Sequence, residues 1–142
     1  MKNKAFLSIT EQLLMILFFA LAAALALKGF SLAENLTRQR QIKEFSTFAV
    51  ENTAETIKSC SGDFRYAAQQ LSAEGDEDTL VLSFSPHGTK LPKNTTEENG
   101  FTVVAEKTKH ENPYIGSAHI SSIYQGTVIF ELDVYWQEDF RQ

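Results

Sequence analysis

Two hydrophobic rhythms divide this chain. The first is a block: Phe6, Leu7 and Ile9 lead through Glu11-Gln12 into an unbroken apolar run from Leu13 to Leu27. A helix over residues 6–27, rising about 1.5 Å per residue, spans roughly 33 Å and crosses a hydrocarbon core, whereas Leu13 to Leu27 alone falls short. The spanning helix therefore takes Glu11 with it, about one and a half turns in. An ionised side chain costs up to about 3 kcal/mol at mid-membrane and less near an interface, so such a residue is a functional candidate by default.

Beyond the block, residues 29–41 contain no proline, and Gly29 is their one soft point; Thr37-Arg38-Gln39-Arg40-Gln41 is polar all round. This predicts a solvated helical stalk continuing the span. Ile42, Phe45, Ala49 and Ile57, with Phe48 and Ala54 beside them, then fall on one side at helical spacing, so this part of the helix has something to pack against. Ser61-Gly62 ends it, and Asp63 is placed to cap a short second helix through Leu71.

The second rhythm has period two. Leu80, Leu82 and Phe84 alternate with Thr79, Val81, Ser83 and Ser85; Phe101, Val103 and Ala105 repeat the pattern; a third strand is expected from Gly116 to Ser122. The last strand puts Val128, Phe130, Leu132, Val134 and Trp136 on one face and Thr127, Ile129, Glu131, Asp133 and Tyr135 on the other. Gln125-Gly126 and Asn112-Pro113 supply turns, Ala73 to Asp78 reads as a polar turn, and Pro86 to Gly100 as a long polar connection. The fold class expected is α+β: a long N-terminal helix, half membrane and half soluble, packed on a three- to four-stranded antiparallel sheet. The domain organisation expected is residues 1–5 as a short basic leader or cytoplasmic end, 6–28 spanning, 29–41 a stalk, and 42–142 one ectodomain.

Composition narrows the function classes. A net charge of −5 leaves the soluble part without a basic surface for phosphates, so nucleic acid is not an expected partner. The single cysteine, Cys60, excludes an internal disulfide and multi-cysteine metal sites, and is expected to be buried. Four acidic groups in Glu74 to Asp78 lack EF-hand spacing and read as a solvated loop. His87, His110 and His119 show no metal-ligand motif, although His110 and His119 are able to approach across the Asn112-Pro113 turn. No Gly-rich phosphate loop or nucleophilic elbow occurs, Glu131 and Asp133 read as a solvated strand face, and Trp136 as core. No cofactor, metal or catalytic residue is assigned, and the expected class is not an enzyme. The Asn94-Thr95-Thr96 sequon says little without a glycosylating compartment.

Leu7-Ser8-Ile9-Thr10-Glu11 followed by Leu13-Leu14-Met15-Ile16 resembles the mature start of the type IV pilin-like proteins, which include minor pilins and the pseudopilins of type II secretion. Members carry a short basic leader, cut after a small residue, then a segment of the form Phe-Thr-Leu-Ile-Glu-Leu-Leu. The resemblance is sequence-specific over about Phe6 to Phe30 and covers the rest in architecture. It implies a prepilin peptidase acting at Ala5, Phe6 or Leu7. A cut after Phe6 sets Glu11 fifth but offers the peptidase a poor residue; a cut after Ala5 makes Phe6 the mature start and Glu11 sixth. It further implies that Glu11 neutralises the amine of a neighbouring pilin-like subunit in a filament of a type IV pilus or type II secretion-like system. The ectodomain would then lie on the extracytoplasmic side of the cell membrane. Charge counting alone does not orient the span, since Lys2 and Lys4 are matched by Lys28, Arg38 and Arg40. Two alternatives stay open: a plain membrane-tethered binding domain, and a secreted one cut after Ser31-Leu32-Ala33, with Glu11 merely snorkelling in the first case.

Overall fold

The computed structural model describes residues 2–138. It divides into two compact units, one ending at Gln39 and one beginning at Arg40. Helix α1 (Lys2–Ser59) supplies the whole of the first and opens the second. Absence of proline and a single glycine before its end are what allow so long an uninterrupted helix.

In the second unit α1 buries Ile42, Ala49, Val50, Ala54 and Ile57, with Ser46 and Thr53 on the same side. The stripe follows the helical period, but its membership differs from the expected one. Phe48 points to solvent with 73 % of its surface exposed, and Phe45 lies at the margin over the turn at Gly88. Ser46 and Thr53, small and polar, are buried on this side, where aromatic residues were expected. Thr53 Oγ1 satisfies itself by donating to the Ala49 carbonyl at 2.8 Å.

The end of α1 is built as a left-handed cap. Ser61 N–H donates to the Lys58 carbonyl and Gly62 N–H to the Ile57 carbonyl, both at 3.0 Å, with Ser61 and Gly62 at φ 52° and 76°. Asp63 then caps α2 (Phe64–Gln70), its carboxylate accepting from the Tyr66 N–H at 3.0 Å, and Leu71 closes the helix. The second helix and its cap thus follow the sequence reading.

The sheet has five antiparallel strands in simple meander order: β1 (Glu74–Gly75), β2 (Thr79–Phe84), β3 (Phe101–Thr108), β4 (Ile115–Tyr124) and β5 (Thr127–Gln137). The class is α+β as expected, with five strands where three to four were expected. The extra strand is β1, whose two residues pair with Leu80 and Val81 in a stretch that reads as a polar turn. Asp76 makes that turn: its Oδ1 accepts from Asp78 N–H, Thr79 N–H and Thr79 Oγ1 at 3.0, 2.9 and 2.8 Å. Those bonds hold its carboxyl below the usual value of 3.8, the Asp78 N–H contributing most.

One face of the sheet, with Leu80, Leu82, Phe101, Val103, Ala105, Ala118, Ile120, Val134 and Trp136, joins α1 and α2 in a single core. At Gln125-Gly126 both residues have positive φ, the two-residue turn that matches strand twist. A register shift follows, with Ser122 opposite Phe130 but Ile123 opposite Val128, so Ile129 is an extra residue on β5. The bulge breaks the strict alternation expected there: Val128 is 50 % exposed, while Ile129 packs against the core with Phe130 and Leu132.

Candidate functional site

Apolar side chains in the first unit have no core of their own. Phe6, Leu7, Leu13 to Phe19, Leu21, Leu25, Leu27 and Phe30 are all exposed along α1. The most apolar window of this helix has a mean hydropathy of 2.3 and none of it is buried, so this is one helix long and apolar enough to cross a membrane. Ala5, Phe6 and Leu7, where the resemblance would put a leader cut, are ordinary helical residues within it.

Glu11 stands on this surface, exposed and with no ion-pair or hydrogen-bond partner among the described residues. Its neighbours manage their own polarity. Thr10 returns its hydroxyl to the Phe6 carbonyl at 2.8 Å, which removes the cost of carrying that donor into an apolar medium. A carboxylate has no such local solution in a helix, because it needs a donor and every nearby backbone N–H is already spent on the helix itself.

No family model matches this chain, and neither does any curated protein or solved structure. The architecture is a long N-terminal helix whose second part packs on an antiparallel sheet. This arrangement is compatible with a pilin-like fold.

Several polar residues of the second unit satisfy one another. His119 Nδ1 lies 2.7 Å from Asp133 Oδ1 and its Nε2 lies 3.7 Å from Glu131, an arrangement set by cross-strand pairing of His119 with Asp133. Glu131 and Asp133 do face outward, but as partners of a histidine that the sequence did not connect to them. His110 accepts from the Asn112 N–H at 3.1 Å and meets the Tyr135 ring edge-on at 5.8 Å, so it is engaged apart from His119. Among the described residues no group of three or more His, Cys, Asp and Glu is placed to hold a metal ion. Cys60, expected to be buried, is half-buried, its Sγ 3.9 Å from Ser59 Oγ.

A cleft of about 280 Å³ opens between the β1–β2 edge and the connection from Lys90 to Thr96. Glu74 spans it, accepting from the Asn94 backbone N–H. Partial burial, and then the charge of Lys93, lower the pKa of Lys90 at its rim. Sequence patterning held no sign of this cleft, because it is formed by a non-repetitive loop folding back on β2 through the Leu91 N–H to Ser83 carbonyl bond. Its convergent groups are mixed in charge and hydroxyl-rich, and none is poised as a nucleophile beside a base.

Proposed function

We propose that this protein is a membrane-anchored, pilin-like structural subunit that assembles through its first helix with other helices of its kind, in a filament of the type IV pilus or type II secretion-like class. The observation that carries the reading is Glu11, an acidic side chain on the apolar surface of a span-length helix with no partner among the described residues. In lipid an uncompensated carboxylate is costly, and a cation on an adjacent helix removes that cost. Ala20, Ala22, Ala23, Ala24 and Ala26 let helices approach closely below it. The sheet and second half of α1 serve as the ectodomain that such a helix carries, on the extracytoplasmic side of the cell membrane.

The deciding experiment is Glu11→Leu in the full chain. Assembly, measured as the fraction of chain recovered in oligomers after cross-linking in membranes, is expected to fall by about tenfold or more while membrane insertion is unchanged or improved. Unaltered assembly, or no assembly by the native chain, makes the helix a plain anchor for a binding domain.

A further inference from the structure

The two ends of the sheet are finished differently. At one, β1 is 2 residues long and leaves little free backbone; at the other, β5 runs for 11 residues, carries no proline and is paired on one side only. An edge of that length offers a row of unpaired N–H and C=O groups to any strand that approaches it.

The register decides which groups those are. Glu138 N–H donates to the Tyr114 carbonyl at 3.0 Å, and Tyr114 stands opposite Glu138 in the ladder that pairs Ile115 with Gln137. Bonded and non-bonded pairs alternate along an antiparallel ladder, so Trp136, Val134, Leu132 and Phe130 turn their backbone groups to β4. The other side of the sheet has the same phase. Lys107 N–H donates to the Asp78 carbonyl at 2.8 Å, which commits Ala105 to β2, Glu106 to β4 and hence His119 to β3, leaving Ala118 to bond Val134. Glu131, Asp133, Tyr135 and Gln137 therefore turn their backbone N–H and C=O outward, with no partner among the described residues, and their side chains are exposed on the outer face of the sheet.

Charge decides what fits this edge. Asp133 shares a cross-strand row with His119 and Glu106, and Glu131 is the next outward residue on β5. A second copy fits poorly. Pairing all the outward residues with those of another β5 sets the two Asp133 carboxylates on a diagonal, and sliding toward the acidic end sets carboxylates directly opposite. On the core face, Phe130 and Leu132 are only partly buried, so an apolar residue of an added strand covers them.

We infer that β5 is a docking edge for an extended segment of another protein in which Lys or Arg alternates with apolar residues, added antiparallel opposite Phe130 to Gln137. Main-chain bonds hold the segment, and Glu131 and Asp133 select its charge. The bulge at Ile129 sets where it stops, because the phase of the ladder is broken there. This surface lies wholly in the second unit and does not depend on the role of Glu11.

The test uses the full chain in micelles and a synthetic peptide, Thr-Val-Tyr-Val-Lys-Val-Lys-Val, written from the end opposite Gln137. Its controls are the same peptide with Glu for both Lys, and a form N-methylated at Tyr and both Lys, the amides that face β5. In the free chain the amides of Leu132, Val134 and Trp136 are expected to exchange slowly and those of Glu131, Asp133, Tyr135 and Gln137 quickly. The basic peptide should slow the second set by about tenfold or more and bind about tenfold tighter than either control, and Glu131→Lys/Asp133→Lys should reverse the charge preference. The peptide comparison on the native chain stands if that variant misfolds. Slow exchange of the outward amides in the free chain means that the edge is already covered. Equal binding of the methylated form reduces the contact to surface charge, and equal binding of the acidic form, or no binding, removes the partner. Each of these results overturns the inference.

Discussion

Gly116→Ala is the sharpest structural test available, because one added methyl meets a buried indole. Gly116 pairs directly across β4 and β5 with Trp136. A Cβ at Gly116 would stand under 3.0 Å from Cε2, Nε1 and Cζ2 of that ring, and so would a Cβ at Gly62. Trp136 is therefore clamped between the strand beneath it and the cap of α1, with Phe64 at 6.5 Å between centroids. The indole cannot yield toward Gly62, whose positive φ also marks the turn that ends the helix. Overpacking a core costs about 1–3 kcal/mol, and partial expulsion of a tryptophan, worth about 3–5 kcal/mol when lost outright, adds to that. We expect a loss of about 3 kcal/mol, or roughly 12–24 °C in Tm for a domain of about 100 residues. Trp136 is the sole tryptophan, so its emission during denaturant unfolding of the full chain in micelles reports the clamp directly. In a Trp136→Leu background, where the fused ring is gone, the same Gly116→Ala change should cost less than half as much, read by circular dichroism. A loss below about 1 kcal/mol with unshifted emission, or an equal loss in both backgrounds, refutes the clamp.

Two further outcomes follow from how polar groups are placed in the second unit. The Ser122 hydroxyl is buried without a partner among the described residues, as is that of Ser46, so Ser122→Ala should be neutral or stabilising by up to about 1 kcal/mol, measured by denaturant midpoint. For Asp76 the sign is fixed by its depressed pKa. A carboxyl lower in the fold than in the unfolded chain adds stability that is present above the usual value of 3.8 and is lost as pH falls through the folded value. Thermal scans of the native chain and Asp76→Asn between neutral and strongly acid pH should therefore converge at the acid end, and a constant difference across that range argues against the turn.

Much of the fold was legible because long periodic segments leave little choice. The stripe Ile42, Ala49, Ala54, Ile57 and the alternation in β2, in β3 and in β5 beyond its bulge follow directly from burying one face. What escaped was set by the local approach of elements. Ser46 and Thr53 lie in the core where the sequence favoured Phe48, since apolarity does not distinguish a residue facing the sheet from one facing out at the edge of a stripe. The bulge at Ile129 has no signature in an apolar run that reads the same on either side of it. β1 exists because Asp76 folds the chain back onto β2, and its two residues are too few to show a period.

The candidate site was legible for a different reason: it is the place where the chain leaves a requirement unmet. Within the second unit, several charged and polar side chains find internal partners, as Asp63 does at the α2 cap, Asp76 in its turn, His119 between Asp133 and Glu131, and Ser85 Oγ beneath the His87 and Thr89 N–H groups. Surface carboxylates without partners there, such as Glu44 and Glu51, are solvated and need none. Glu11 has neither protein partner among the described residues nor, on a span-length apolar helix, assured water. A single sequence can display that deficit but not what fills it.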